Sequence, residues 1–260
     1  MRQDAGLNAL QLAAAAGWHR TKVSKIEHAS RPPNADDIRT WCRACGAEVQ
    51  AADLIASLRA VEGAYLEYRR LLRAGLRRVQ TDRRPLYDQT RFLRVYCSQV
   101  IPGLLQTPAY VTELLSQIAV HHGIPTDVPE AVSARVDRQR ILREGDHRFA
   151  FVIEESVLRY RLGDAETMAG QLGHLLTAMS LPSVSLGIIP FSESRECWPL
   201  ENFTMFDKEM VQVELLSAQV TMKTPSEVAH YVKAFEHFSA MAVTGTRARA
   251  LITSALESLG

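Results

Sequence analysis

Residues 7–46 read LNALQLAAAAGWHRTKVSKIEHASRPPNADDIRTWCRACG, and their reading decides the first domain. Asn8 is a natural N-cap for the short alanine-rich run at 8–16, and Gly17 supplies a left-handed stop. A second short helix is expected over 19–28, with Val23 and Ile26 three residues apart on one face. Ser30, Pro32, Pro33 and Asn34 make a loop. Asn34 or Asp36 then caps a third helix, in which Ile38, Trp41, Cys42 and Cys45 recur at helical spacing and Gly46 marks the end. Two short helices joined through a glycine turn and followed by a third with an apolar face make a helix-turn-helix. The small Ala13 allows the second helix to approach, Gly17 permits the turn, and Val23 and Ile26 pin the second helix to the core. Its N-terminal end and outer face then carry His19, Arg20, Thr21, Lys22 and Lys25. That end normally enters the major groove of double-stranded DNA, where arginine bonds guanine bidentately and lysine meets phosphates or bases. A helix N-terminus also receives a phosphate directly.

Working outward, a fourth helical segment is expected from about Ala51, carrying Leu54, Leu58, Val61 and Tyr65. From Glu62 to Arg84 the chain is rich in arginine (Arg69, Arg70, Arg73, Arg77, Arg78, Arg83, Arg84) and reads as a basic linker helix. Thr81–Pro85 is the expected boundary, giving domains 1–84 and 85–260. The charge follows the same division. Residues 1–96 hold 17 Lys/Arg against 10 Asp/Glu, and residues 97–260 hold 13 against 19, although the whole 260-residue chain is only +1. A basic first third joined to an acidic remainder suggests nucleic-acid binding in one part and another task in the second.

Beyond the boundary, strands are expected at 93–100, 148–154, 184–189, 202–207 and 211–216, the last two as a hairpin. Helices are expected at about 107–121, 128–143, 164–180, 225–243 and 245–258. The interspersion favours an α+β domain with a mixed sheet, following an all-α helix-turn-helix domain in a multi-domain chain. Pro102, Gly103 and Pro108 fix a turn, and Thr107 caps the helix after it. Arg135, Arg138 and Gln139 share one helix face, and Glu154 and Glu155 end a buried-looking strand. An Arg–Glu pair across that gap has two readings: an ion pair bracing helix and strand, or a polar pocket for a small anionic effector or a partner's tail.

Other signals point away from catalysis and membranes. Hydrophobic residues make up 47% of the chain, but no apolar run is long enough to cross a membrane, and a cytoplasmic protein is expected. Cys42 and Cys45 form a CxxC without the second ligand pair that zinc requires, so core packing is expected and no metal site. His121 and His122 are read as an exposed pair, followed by a loop at Gly123, Ile124 and Pro125, and not as metal ligands. Trp198 and Pro199 are placed in another loop. No GxSxG, HExxH, Walker A or GxGxxG motif is present, so the reading is of no enzyme, no catalytic residues and no cofactor.

Residues 7–46 resemble the XRE-type, phage-repressor-like helix-turn-helix, including the Lys25-Ile26-Glu27 ending and the polar, proline-containing loop that follows. The resemblance implies that Arg20, Thr21 and Lys25 face bases, that Lys22 flanks them, and that Glu27 is structural. The family usually has a full helix before the position of Gly6, where only five residues stand here. Leu10, Leu12, Val23 and Ile26 are therefore expected to be less covered. The larger domain resembles the C-terminal domain of actinobacterial Scr-type toxin–antitoxin, antitoxin-like transcriptional regulators. Its VIPGLLQTPAYV (100–111), ARVDRQRIL (134–142), FVIEESVLR (151–159), MAGQLGHLL (168–176) and LGIIPF (186–191) carry the likeness. Implied are a dimeric transcription regulator and a small protein partner encoded nearby. The alternative is an antitoxin-like protein-interaction module whose clipped helix-turn-helix no longer binds DNA.

Overall fold

A computed structural model describes residues 1–55, 58, 65–67, 75–124 and 127–260. It divides into two compact units, Met1–Tyr65 and Leu66–Gly260.

The small unit is helical. Helices α1 (Ala9–Ala16), α2 (Arg20–Glu27) and α3 (Ala35–Ala44) match the expected elements. Asn8 caps α1 in a capping box with Gln11, and Gly17 closes it in the left-handed conformation (φ 64°). Of the two candidate caps for α3, Asn34 does the capping, in a box with Asp37, while the exposed Asp36 pairs with Arg39 on the surface. Each box satisfies amide hydrogens that the helix itself leaves unbonded. Leu12, Ala13 and Val23 form the buried centre, with Leu7, Ala9, Trp18, Trp41, Ala44 and Cys45 packed around it. Cys42 is fully buried and neither Cys42 nor Cys45 is disulfide-bonded, consistent with packing roles.

Coverage of this core is uneven, partly against expectation. Leu12 and Val23 are completely buried, while Leu10 remains 62% exposed. Residues 2–6 lie in turns rather than a helix. Arg2 ties that segment down by donating to the Leu7 carbonyl (2.7 Å) and to the Glu27 carboxylate (2.5 Å).

The larger unit is built on a mixed sheet. Its strands are β2 (Phe92–Cys97), β3 (Arg148–Glu154), β4 (Val184–Ile189), β5 (Phe203–Phe206), β6 (Met210–Glu214) and β7 (Ala218–Met222), in the order β7-β6-β5-β2-β3-β4. Tyr65–Glu67, where a helix is expected, forms a three-residue strand, β1. β2, β3 and β4 are parallel, and β2, β5, β6 and β7 are antiparallel neighbours. The expected β5–β6 hairpin is present, turning at Asp207 (φ 53°). The short β7 was not expected.

Strand alternation sends successive side chains to opposite cores. Val95, Phe151, Ile153 and Leu186 face one core, completed by helices Ala165–Ala178 and Gly245–Glu257 through Met168, Leu172, Leu175 and Ile252. Tyr96, Val152, Phe203 and Val213 face the other, covered by helix Pro225–Met241 through Val228, Phe235 and Phe238. Tyr96 and Phe238 stack at 3.9 Å between centroids.

The expected boundary at residue 84 falls inside regular structure. Helix Leu76–Asp82 buries Leu76 and Val79 against Val111, Leu115 and Val128, and therefore belongs to the larger unit's third core. Pro85 sits in the first turn of helix Arg84–Gln89, where proline's missing amide hydrogen costs nothing, so it starts a helix instead of breaking one. Readings that concern Val61, Arg69, Arg70 and Arg73 lie outside the described residues. His121 and His122 form the last turn of helix Pro108–His122, which Gly123 closes at φ 60°. Among the described residues, no helix is long and apolar enough to cross a membrane.

Candidate functional site

The two units each hold a cationic cluster, and the clusters differ in burial. In the small unit, α2 is fastened by Val23 and exposes His19, Arg20, Thr21 and Lys25. His19 is the N-cap: its Nδ1 accepts from the Thr21 backbone amide (3.3 Å) and meets Thr21 Oγ1 at 2.8 Å. The pair fixes the first turn, and Arg20 projects beside it. Ser24, His28 and Arg31 are also exposed on and just after α2.

Lys22, expected at a DNA flank, is engaged within the small unit. Its ammonium is paired with Asp37 on α3 at 2.5 Å and lies 4.1 Å from the centre of the Trp18 ring. Asp37 is only 4% exposed and also accepts from the Asn34 amide. Burial pushes this carboxyl upward, but the hydrogen bonds from Lys22 and Asn34 outweigh it and hold Asp37 below the ordinary carboxylate range. A buried carboxylate needs a partner, and Lys22 is the cation within reach, so Lys22 joins α2 to α3 instead of standing free toward solvent. Asp37 was missed by sequence reading. Its position three residues after the Asn34 cap was the available signal.

In the larger unit the four expected pocket residues are not brought together. Glu154 follows Val152 onto the sheet face covered by helix Pro225–Met241. There it accepts from Tyr96 Oη (2.8 Å) and takes a two-pronged pair from Arg195 (2.9 and 2.5 Å). Burial and the adjoining Glu154 raise the Tyr96 hydroxyl pKa. The expected Glu154 pairing with the 128–143 helix is therefore replaced by one with Arg195, because alternation along β3 turns Glu154 away from that helix. Gln139 donates to the carbonyls of Gln106 (2.6 Å) and Gly103 (3.4 Å), bracing the 102–107 turn.

Arg135 and Arg138, on helix Val128–Arg138, line a cavity of about 600 Å³ within the larger unit. Arg135 donates from Nε to Gln80 Oε1 (3.0 Å) and from Nη1 to Gln106 Oε1 (2.7 Å). Arg138, 3% exposed, bonds the Gln80 carbonyl (3.2 Å) and Oε1 (3.3 Å), and its guanidinium lies 4.6 Å from the centre of the Tyr87 ring. Its Nε has no hydrogen-bond partner. Burial lowers the Arg135 pKa to about 10, with Arg138 and Arg83 adding repulsion. Burial also lowers that of Arg138. Glu214 pairs with Arg83 at 2.6 Å, and the Arg83 charge is the main reason its carboxyl titrates below the ordinary value. Gln80 and Gln106, the two residues that orient the arginines, carried no signal in the sequence.

Comparison with known proteins adds the family. A model described as "Domain of unknown function (DUF5753)" matches residues 88–254. The chain belongs to the DUF5753 family. The matched span covers strands β2–β7 and both Arg135 and Arg138, while Leu76 and Val79 of the third core lie before it. A "Helix-turn-helix domain" model matches residues 1–55, the small unit's α1–α3 included. This match supports DNA as a partner of the chain. No curated protein matches this DUF5753 chain. A solved structure of TrmBL2, described as an archaeal chromatin protein with a novel mode of DNA binding, aligns over 92% of this chain and 88% of its own. The identity is 12% and the TM-score 0.33, a likeness too slight to carry an argument.

Proposed function

We propose that the chain is a sequence-specific, double-stranded-DNA-binding transcriptional regulator of the XRE type. Residues of the helix-turn-helix read the operator, and the DUF5753 domain receives a signal or a partner. The observation that carries the reading is α2 itself: a helix held from behind by Val23 whose exposed first turns present Arg20, Thr21 and Lys25. Arg20 is assigned to base edges, Lys25 to bases or phosphates, and His19 and Thr21 to the helix start near the backbone. A cytoplasmic homodimer on half-sites roughly 34 Å apart fits this mode of reading. An antitoxin-like role, with a small protein encoded nearby, accords with the resemblance of the larger domain. No catalytic step is assigned.

Fluorescence anisotropy of the full chain on genomic fragments from its own locus, at two salt concentrations, tests the proposal. Salt-sensitive binding that prefers one fragment supports it, since released counterions make such binding fall with salt. Equal or absent binding to all fragments overturns it.

The exposed Leu10 favours a second reading. An apolar side chain left uncovered on α1 suits a protein-interaction module that no longer binds DNA. Tight complex formation with a partner and no DNA affinity distinguishes it.

A further inference from the structure

The cavity beside Arg135 and Arg138 has a chemistry that its own walls leave unbalanced. Arg83, Arg135 and Arg138 line it with two carboxylates, Glu214, which pairs with Arg83, and Glu201, which accepts from Tyr231 Oη. Glu214 is taken up by Arg83, and the hydrogen bonds of Arg135 and Arg138 go to neutral amides on Gln80 and Gln106. Burying a guanidinium without a counter-charge is costly, and two side by side more so. A chain with no use for charge here is better served by apolar residues. Arg138 is almost wholly buried, yet its Nε is unbonded. The remaining walls include Leu114, Leu115 and Ile118 from helix Pro108–His122. About 600 Å³ lies within the range of small-molecule sites, which combine apolar walls with a few placed polar groups.

We infer that this cavity binds a small amphipathic oxyanion, its carboxylate or phosphate head on Arg135 and Arg138 and its apolar body against Leu114, Leu115 and Ile118. The fork geometry of arginine matches either head group. That the ligand is the signal received by the regulator rests on the function proposed above; its binding does not.

The test is calorimetric titration of the full chain without DNA, using octanoate, octyl phosphate, octylammonium and inorganic phosphate as probes. Saturable binding of octanoate or octyl phosphate is expected, with octylammonium silent and inorganic phosphate weaker than octyl phosphate. The two anionic probes separate a carboxylate ligand from a phosphate one. Arg135→Met is expected to weaken the better probe by at least about tenfold, the scale of a lost charge-assisted hydrogen bond. The ligand-free variant should melt at the same temperature as the parent or higher, because a buried charge has been removed. Arg135→Lys keeps the charge, loses the fork, and should bind with intermediate affinity; it serves as the test should the Met variant not fold. Failure of both anionic probes to bind overturns the proposal. So does octylammonium binding as tightly as octanoate, or an Arg135→Met protein that melts lower but binds unchanged. Anisotropy on DNA is measured separately, so a failed operator search leaves this result standing.

Discussion

The cations of α2 and those of the larger unit's cavity are the same residue types under opposite conditions. Arg20 and Lys25 stand in water. They keep their hydration until a phosphate or base replaces it, and cost the folded chain almost nothing. Arg135 and Arg138 are held by Gln80, Gln106 and Tyr87 in a site where burial already lowers their pKa. Exposed charge suits an exchangeable, salt-sensitive partner, and buried charge suits a ligand that fits. Lys22 lies between the two: it is a lysine of the reading helix, yet it is bound to Asp37 and counts with the structural set.

The largest expected effect breaks the comparison on the DNA side. The double variant Arg20→Ala, Lys25→Ala should lose about 2–5 kcal/mol of operator affinity by anisotropy, while its melting temperature stays within error. A drop in melting temperature with affinity intact would show the helix to be structural.

Next in size, Asp37→Ala should destabilise the small unit by about 2–3 kcal/mol, since it strands Lys22 and opens the Asn34 capping box. Hydrogen exchange on α1–α3 of the full chain reads this directly. Exchange in the sheet should not change. Uniform loss of protection in both units would mean that they unfold as one.

Glu214→Gln is a smaller, sharper probe. Loss of the partly exposed Arg83 pair should cost about 1 kcal/mol or less in urea unfolding. The same change removes a carboxylate from the arginine cavity, and octanoate or octyl phosphate should bind tighter to it.

The smallest effect is in acid. The Asp37 pKa lies below the ordinary carboxylate value in the folded chain, so its contribution is complete above that ordinary value. It is lost as pH falls through the folded value, where the proton displaces Lys22. Trp18 and Trp41, 6.1 Å apart, report on this unit once Trp198 is replaced by Phe. Their acid transition should shift in Asp37→Asn; an unchanged profile would assign acid sensitivity to another group.

Legibility differed between the units for a physical reason. Caps, stops and apolar spacing are local, so α1–α3 and the Asn8 and Asn34 boxes were readable from neighbours along the chain. The hairpin of β5 and β6 was readable for the same reason. β7 (Ala218–Met222) escaped because its sequence, AQVTM, is short and half polar and lacks a run of strand-forming apolar residues. Helix Leu76–Asp82 was read with the first domain because the apolar positions at Leu76 and Val79 stand among arginines. The shared face of Arg135 and Arg138 could be read. Their partners could not, since Gln80 and Gln106 lie 55 and 29 residues from Arg135 and meet it only through the tertiary fold. Glu154 was assigned to the wrong partner because which sheet face it occupies depends on how β3 is seated, and spacing alone does not reveal that.

The pairing of β2 carries a consequence for the birth of the chain. β2 takes β3 on one side and β5 on the other, so the sheet cannot close until Phe203–Phe206 has been made. The hydrophobic core of α1–α3 is drawn from the first quarter of the sequence. At about 5–20 residues per second, the roughly 150 residues between the two events take about 8–30 s of synthesis. During that interval the ribosome carries a helix-turn-helix whose core is already made and no completed domain behind it.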